Sequence, residues 1–194
     1  MRFPAAAVLG AVLLTAACDA PAPGASPSPS PSPSPSPSPS VVFSMPPLRL
    51  PVMAPGDRCP VTPKHAWSGP GQATAVLGDG PLYPIADYFP GGVLELRGED
   101  REPDGSYVKK VRWLGAGYRG PVLLRVARID GPGAASAQFS YFGGLRDDGY
   151  HAELTEPDND LPATTTVGGP GCYAYQVDGA SFSRTIVFRA VAAG

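Results

Sequence analysis

Two histidines and a scatter of carboxylates are the residues of this chain with the means to do chemistry. His151 stands two positions before Glu153, a spacing that puts both side chains on one face of a strand. Such a pair could act as a base with its orienting partner, or as two ligands of a metal. A serine hydrolase also needs an activated nucleophile, and no serine lies in a Gly-x-Ser-x-Gly turn. Zinc needs three or four ligands, and no spacing joins His65 and His151 to a carboxylate. Asp158-Asn159-Asp160 and Asp147-Asp148-Gly149 offer hard oxygens for calcium, but neither completes a calcium loop. Turns collect these residue types for hydrogen bonding in any case. Glycoside chemistry would need two selected acids, and nothing selects two among Glu95, Glu99, Glu102, Glu153 and Glu156. No catalytic residue, metal or cofactor is therefore assigned. Tyr173 and Tyr175 alternate along one strand opposite Cys172. With Cys172 turned toward the core, these tyrosines either point outward as a binding platform for a sugar or a protein, or pack within a strand buried on both sides or covered by a long loop such as residues 82–92.

The N-terminus is more specific. Arg2 precedes an apolar run from Ala5 to Leu14, too short to span a bilayer but suited to a secretory signal. Leu14-Thr15-Ala16-Ala17-Cys18 resembles the lipobox of bacterial lipoproteins. That resemblance implies cleavage before Cys18, a diacylglycerol on its thiol, and attachment to the extracytoplasmic face of the bacterial cell membrane. It makes residues 1–17 a signal peptide. The mature chain then carries 14 Lys+Arg against 17 Asp+Glu, a balance that gives no pull toward nucleic acid. With Cys18 lipidated, Cys59 and Cys172 remain for a disulfide in a compartment that permits one. Closing that loop is worth on the order of 4–5 kcal/mol in the chain-entropy model.

Residues 18–44 read as the lipidated end and a disordered tether. Ser26 to Ser40 alternates Ser and Pro, which excludes helix and sheet and favours polyproline II. Fully extended, that run reaches roughly 45 Å.

Residues 45–194 have the length of one domain and an all-β grammar. Strands are expected at Ala73–Leu77, Val93–Leu96, Tyr107–Leu114, Val122–Ile129, Ala137–Phe142 and Thr164–Val167. A hairpin is expected from Cys172–Val177 and Phe182–Val191, turning at Asp178-Gly179, with Phe182, Ile186 and Phe188 inward. This reads as an antiparallel β-sandwich, immunoglobulin-like in general layout, with a small β-barrel as the alternative. The Cys59–Cys172 bond would staple one sheet to the other. Cys59-Pro60-Val61-Thr62, Lys110-Val111-Arg112-Trp113 and Gly171-Cys172-Tyr173-Ala174-Tyr175 resemble segments of a group of uncharacterised secreted or lipid-anchored bacterial proteins. That resemblance implies paired cysteines and brings no activity with it. The functional expectation is a noncatalytic binding or structural domain displayed at the envelope, its partner an envelope protein or polysaccharide. The alternative is an extracytoplasmic hydrolase acting on wall or carbohydrate.

Overall fold

The computed structural model describes residues 46–54 and 56–194. The expected signal peptide, lipidated Cys18 and Ser-Pro tether lie outside the described residues. Fourteen strands follow one another. They begin with β1 (Lys64–Ala66), β2 (Ala75–Leu77), β3 (Leu82–Pro84), β4 (Val93–Leu96) and β5 (Tyr107–Lys110). Next come β6 (Trp113–Gly115), β7 (Gly120–Arg128), β8 (Ala135–Phe139), β9 (Gly144–Arg146) and β10 (Gly149–Leu154). The last four are β11 (Asn159–Leu161), β12 (Ala163–Val167), β13 (Gly171–Gly179) and β14 (Phe182–Ala192). The fold is all-β, as the turn spacing and β-branched runs require.

The largest sheet has six strands in the order β4-β14-β13-β7-β10-β9. All its pairs are antiparallel except β4 with β14, which is parallel. Two three-stranded sheets, β11-β6-β3 and β5-β12-β8, and the pair β1-β2 complete the set. One apolar cluster joins the large sheet to the smaller ones. Tyr175 and Phe188 of the large sheet meet Trp113 of β6 and Phe139 of β8 there, with Trp113 edge-on to Tyr175 at 5.1 Å. Tyr175 stacks on Phe188 at 4.8 Å, an aromatic geometry that adds to plain area burial.

Several expectations need correction. Tyr107–Leu114 is not one strand. The chain breaks at Val111 and Arg112, whose backbone groups bond Ala163 and Ile85, so β5 and β6 enter different sheets. The amphipathic pattern along that stretch is imperfect because it changes sheets midway. The hairpin turn also falls later than Asp178-Gly179. Both residues are paired, to Ser183 and Phe182, and Ala180-Ser181 makes the two-residue loop. Gly179 is used for close approach, since a Cβ there would collide with the Phe182 ring. Asp178 is fully buried.

Candidate functional site

β13 is the strand around which the candidate site is built, and it is buried on both faces. Alternation sends Tyr173, Tyr175 and Val177 one way and Cys172, Ala174, Gln176 and Asp178 the other. The aromatic set enters the main core; Tyr173 and Tyr175 have no exposed surface. The platform alternative for Tyr173 and Tyr175 is thus overturned, and the packed alternative holds. The larger apolar side chains take the core face, and the disulfide occupies the other. Burial raises the pKa of both phenols. Tyr175 Oη shares a 2.7 Å hydrogen bond with Thr165, and Tyr173 donates to the Gly169 carbonyl.

The second face is covered by a strap without regular structure, residues 46–54 and 56–63, which precedes β1. Leu50, Met53 and Cys59 pack on Cys172, Ala174 and Val187. Cys59 bonds Cys172 with their Cα atoms 5.6 Å apart. The disulfide is present, but it ties a strap to one sheet. It does not join two sheets, because Cys59 lies in no strand. Further along, Thr62 accepts from the Val187 amide through its side chain and donates to the Val187 carbonyl from its backbone.

A polar clamp holds the strap's other end. Arg125 of β7 donates to Asp178 at 2.5 Å and to the Pro46 carbonyl at 2.9 Å. Gln176 donates to the Pro47 carbonyl at 3.1 Å and to Asp178, and its oxygen accepts from the Arg49 amide at 2.6 Å. Asp178 has no exposed surface, and both Arg125 and Gln176 donate to its carboxylate. The proline carbonyls are good acceptors here: each proline keeps its acceptor while lacking a donor of its own.

Beside the disulfide, strap and sheet enclose an open groove of about 850 Å³. Its apolar lining includes Met53, Val61 and Val93, and its charged lining includes Arg58, Arg128 and Arg189. Arg128 is neutralised by Asp130 at 2.6 Å, and Asp130 also accepts from the Cys172 amide at 2.9 Å. Burial pushes the Asp130 pKa up, but these two bonds outweigh it and hold the carboxyl below its ordinary value. Arg58 and Arg189 have no ion-pair partner among the described residues. The lining also holds Asp57, and the two guanidinium groups outside any ion pair could take an anionic group with planar, bidentate hydrogen bonding. Sequence reading missed this groove. Its arginines stand 131 positions apart in numbering, and only the strap brings Arg58 to the lining that holds Arg189.

The remaining sequence candidates do not converge. His151 and Glu153 do share β10 and line one shallow concavity, but His151 pairs with Asp148 at 2.8 Å. No serine lines that concavity. His65 bonds the Gly78 carbonyl at 2.6 Å and so ties β1 to the turn after β2. Asp158 accepts from the Gly117 amide, and Asp160 is paired with Arg112. Glu95 is paired with Arg97 and Glu156 with Arg119. Among the described residues no three His, Cys, Asp or Glu side chains are grouped to hold a metal. No family model, no curated protein and no solved structure matches this chain.

Proposed function

We propose that this chain is a lipid-anchored binding domain of the bacterial cell envelope, held outside the membrane through Cys18 and a Ser-Pro tether. In this reading the domain works by display and contact. The observation that carries it is the groove beside Cys59–Cys172, where Arg58 and Arg189 form no ion pair among the described residues. The partner is an anionic envelope component, a protein or a polysaccharide carrying carboxylate or phosphate groups. The strap supports the same reading. A domain hung by its N-terminus needs that end fastened, and here a clamp and a disulfide fasten it. The six-stranded sheet and the smaller sheets serve as the layers of a sandwich in this reading, supported by the single core they share.

Two measurements test it separately. Cys18→Ser should move the protein from the membrane fraction to the soluble fraction; unchanged fractionation removes the anchor. Arg58→Ala with Arg189→Ala should cut retention of the purified protein on isolated envelopes by about tenfold or more, two charged hydrogen-bonding groups being lost. Retention equal to the parent would remove the groove from the reading and leave the anchor standing.

A further inference from the structure

A second concavity, of about 370 Å³, lies where β10 stops and β7 runs on. The pairing of β10 with β7 ends at Tyr150 and Leu124, whereas β13 accompanies β7 as far as Arg128. Its apolar lining comes from Leu124, Val126, Ala135 and Ala137, with Leu48 of the strap and Leu145 of β9. Leu48 is 49% exposed and Leu145 is 68% exposed. They are two of the four large apolar side chains left exposed among the described residues, and both belong to this one lining. A single exposed leucine needs no account, but two around one apolar hollow make a surface that another apolar group can cover. The charges in the lining are matched. Arg125 faces Asp178, Asp148 faces His151, and Arg146 and Asp147 are exposed neighbours of opposite sign.

The course of the strap leads to this place. From Thr62 back toward the N-terminus, the chain crosses the large sheet strand by strand. Thr62 bonds Val187 of β14, and Cys59 bonds Cys172 of β13. Gln176 of β13 holds Arg49 and Pro47, and Arg125 of β7 holds Pro46. β10 is next in the sheet order, and its first residues, Gly149 and Tyr150, line the concavity. Arg125 lines it too, with the Pro46 carbonyl 2.9 Å from its guanidinium. Residues 41–45, Val41-Val42-Phe43-Ser44-Met45, lie outside the described residues and come immediately before that clamped proline. They separate the Ser-Pro run from the strap, and all but Ser44 are apolar. A residue before proline favours extended backbone, and along an extended chain Val41, Phe43 and Met45 share one side. Five such residues reach about 17 Å. With Pro46 already fixed, seating them is an intramolecular event at high effective concentration and orders only a few residues more. A partner from outside has neither advantage.

We propose that residues 41–45 of the same chain seat in this concavity, with the Phe43 ring against Leu145 and Leu48. The free tether then ends at Ser40, and it leaves the domain beside β9 rather than at the clamp. The full chain bearing Cys18→Ser serves for both tests. Nuclear Overhauser contacts are expected between the Phe43 ring and the methyl groups of Leu145 and Leu48, unchanged on dilution. Phe43→Ser should shift those methyl resonances and leave those of Ile186 and Val187 in place. Chymotrypsin cutting after Phe43, followed by intact mass, should be about tenfold or more slower in the parent than in Leu145→Asp, which alters an exposed side chain. Ala135→Leu, which fills the concavity, should speed the same cut. Absence of the Phe43 contacts, or cutting as fast in the parent as in both variants, would overturn the proposal. Contacts that fade on dilution would give the concavity to a second copy. Protection of Phe43 that appears only with added envelope fragments would give it to an outside partner. Either result overturns the proposal as well.

Discussion

On one side of β13, Tyr173, Tyr175 and Val177 meet Trp113, Phe139 and Phe188. On the other side Cys172, Ala174, Gln176 and Asp178 meet a strap with no regular structure. Both faces are buried, but by different means. The first is closed by large apolar groups that need only be brought together. The second has small apolar side chains at its centre, and its closure depends on named bonds: a disulfide at one end and, at the other, a clamp of three side chains on three strap backbone groups. Apolar burial is non-directional and tolerates adjustment, whereas the clamp works only with donors and acceptors in register. The first face therefore bears on whether the domain folds, and the second on where its N-terminal segment lies.

The comparison breaks most sharply at Trp113. Trp113→Ala should cost about 3–5 kcal/mol, because it empties the space against Tyr175 and Phe139. Denaturant unfolding should show the loss as one global transition. Replacing Cys59 and Cys172 together by alanine should cost less, about 2–4 kcal/mol, below the chain-entropy ceiling because the denatured chain keeps residual structure. Hydrogen exchange should then speed first in the strap, at Thr62 and the Val187 amide it caps. Asp178→Asn should cost about 1–3 kcal/mol, since it weakens the charged hydrogen bond that Arg125 makes in a mostly buried place. Its signature is faster exchange at the Arg49 amide, with the aromatic core still protected. If all three variants unfolded the whole domain alike, the two faces would not be separable.

The smallest effect is one of pH and belongs to the aromatic face alone. Burial raises the Tyr175 pKa above the ordinary tyrosine value, so the folded state keeps a proton that the unfolded chain gives up first. Stability is therefore full below about pH 10 and falls as pH rises beyond it. At pH 10 itself Tyr175 removes about 0.4 kcal/mol. Tyrosinate absorbance, followed with increasing pH, should lag behind that of free tyrosine until the domain unfolds. Tyr175→Phe should reduce that lag.

Much of the first face was legible in the sequence. Phe182, Ile186 and Phe188 share one parity, interrupted by the exposed Arg184, and they pack into the main core. The all-β architecture followed from the same alternation and from regular turns. β10 was half legible: Tyr150, Ala152 and Leu154 alternate as buried residues, and the spacing of His151 and Glu153 was the complement of that pattern. The second face was hidden for a physical reason. Its partners are the carbonyls of Pro46 and Pro47 and the amide of Arg49, and backbone groups are the same whatever the residue. The strap looks like linker because proline is frequent there, and proline leaves just the acceptors that the clamp uses. The tyrosine platform failed on the same point. Cys172 was assumed to face the core, and nothing in composition told that a strap would cover its side instead.

The disulfide sets how far the domain gives way under load. A pull applied at Pro46 would meet the clamp first, and with the clamp open the chain could peel from the sheet only until Cys59. That releases 13 residues, about 45 Å of slack at full extension. Beyond that point tension passes through Cys172 into β13, which is paired on both sides by β7 and β14. The strand that takes the strain is thus an interior strand of the largest sheet, and shearing it free would mean breaking both of its ladders together.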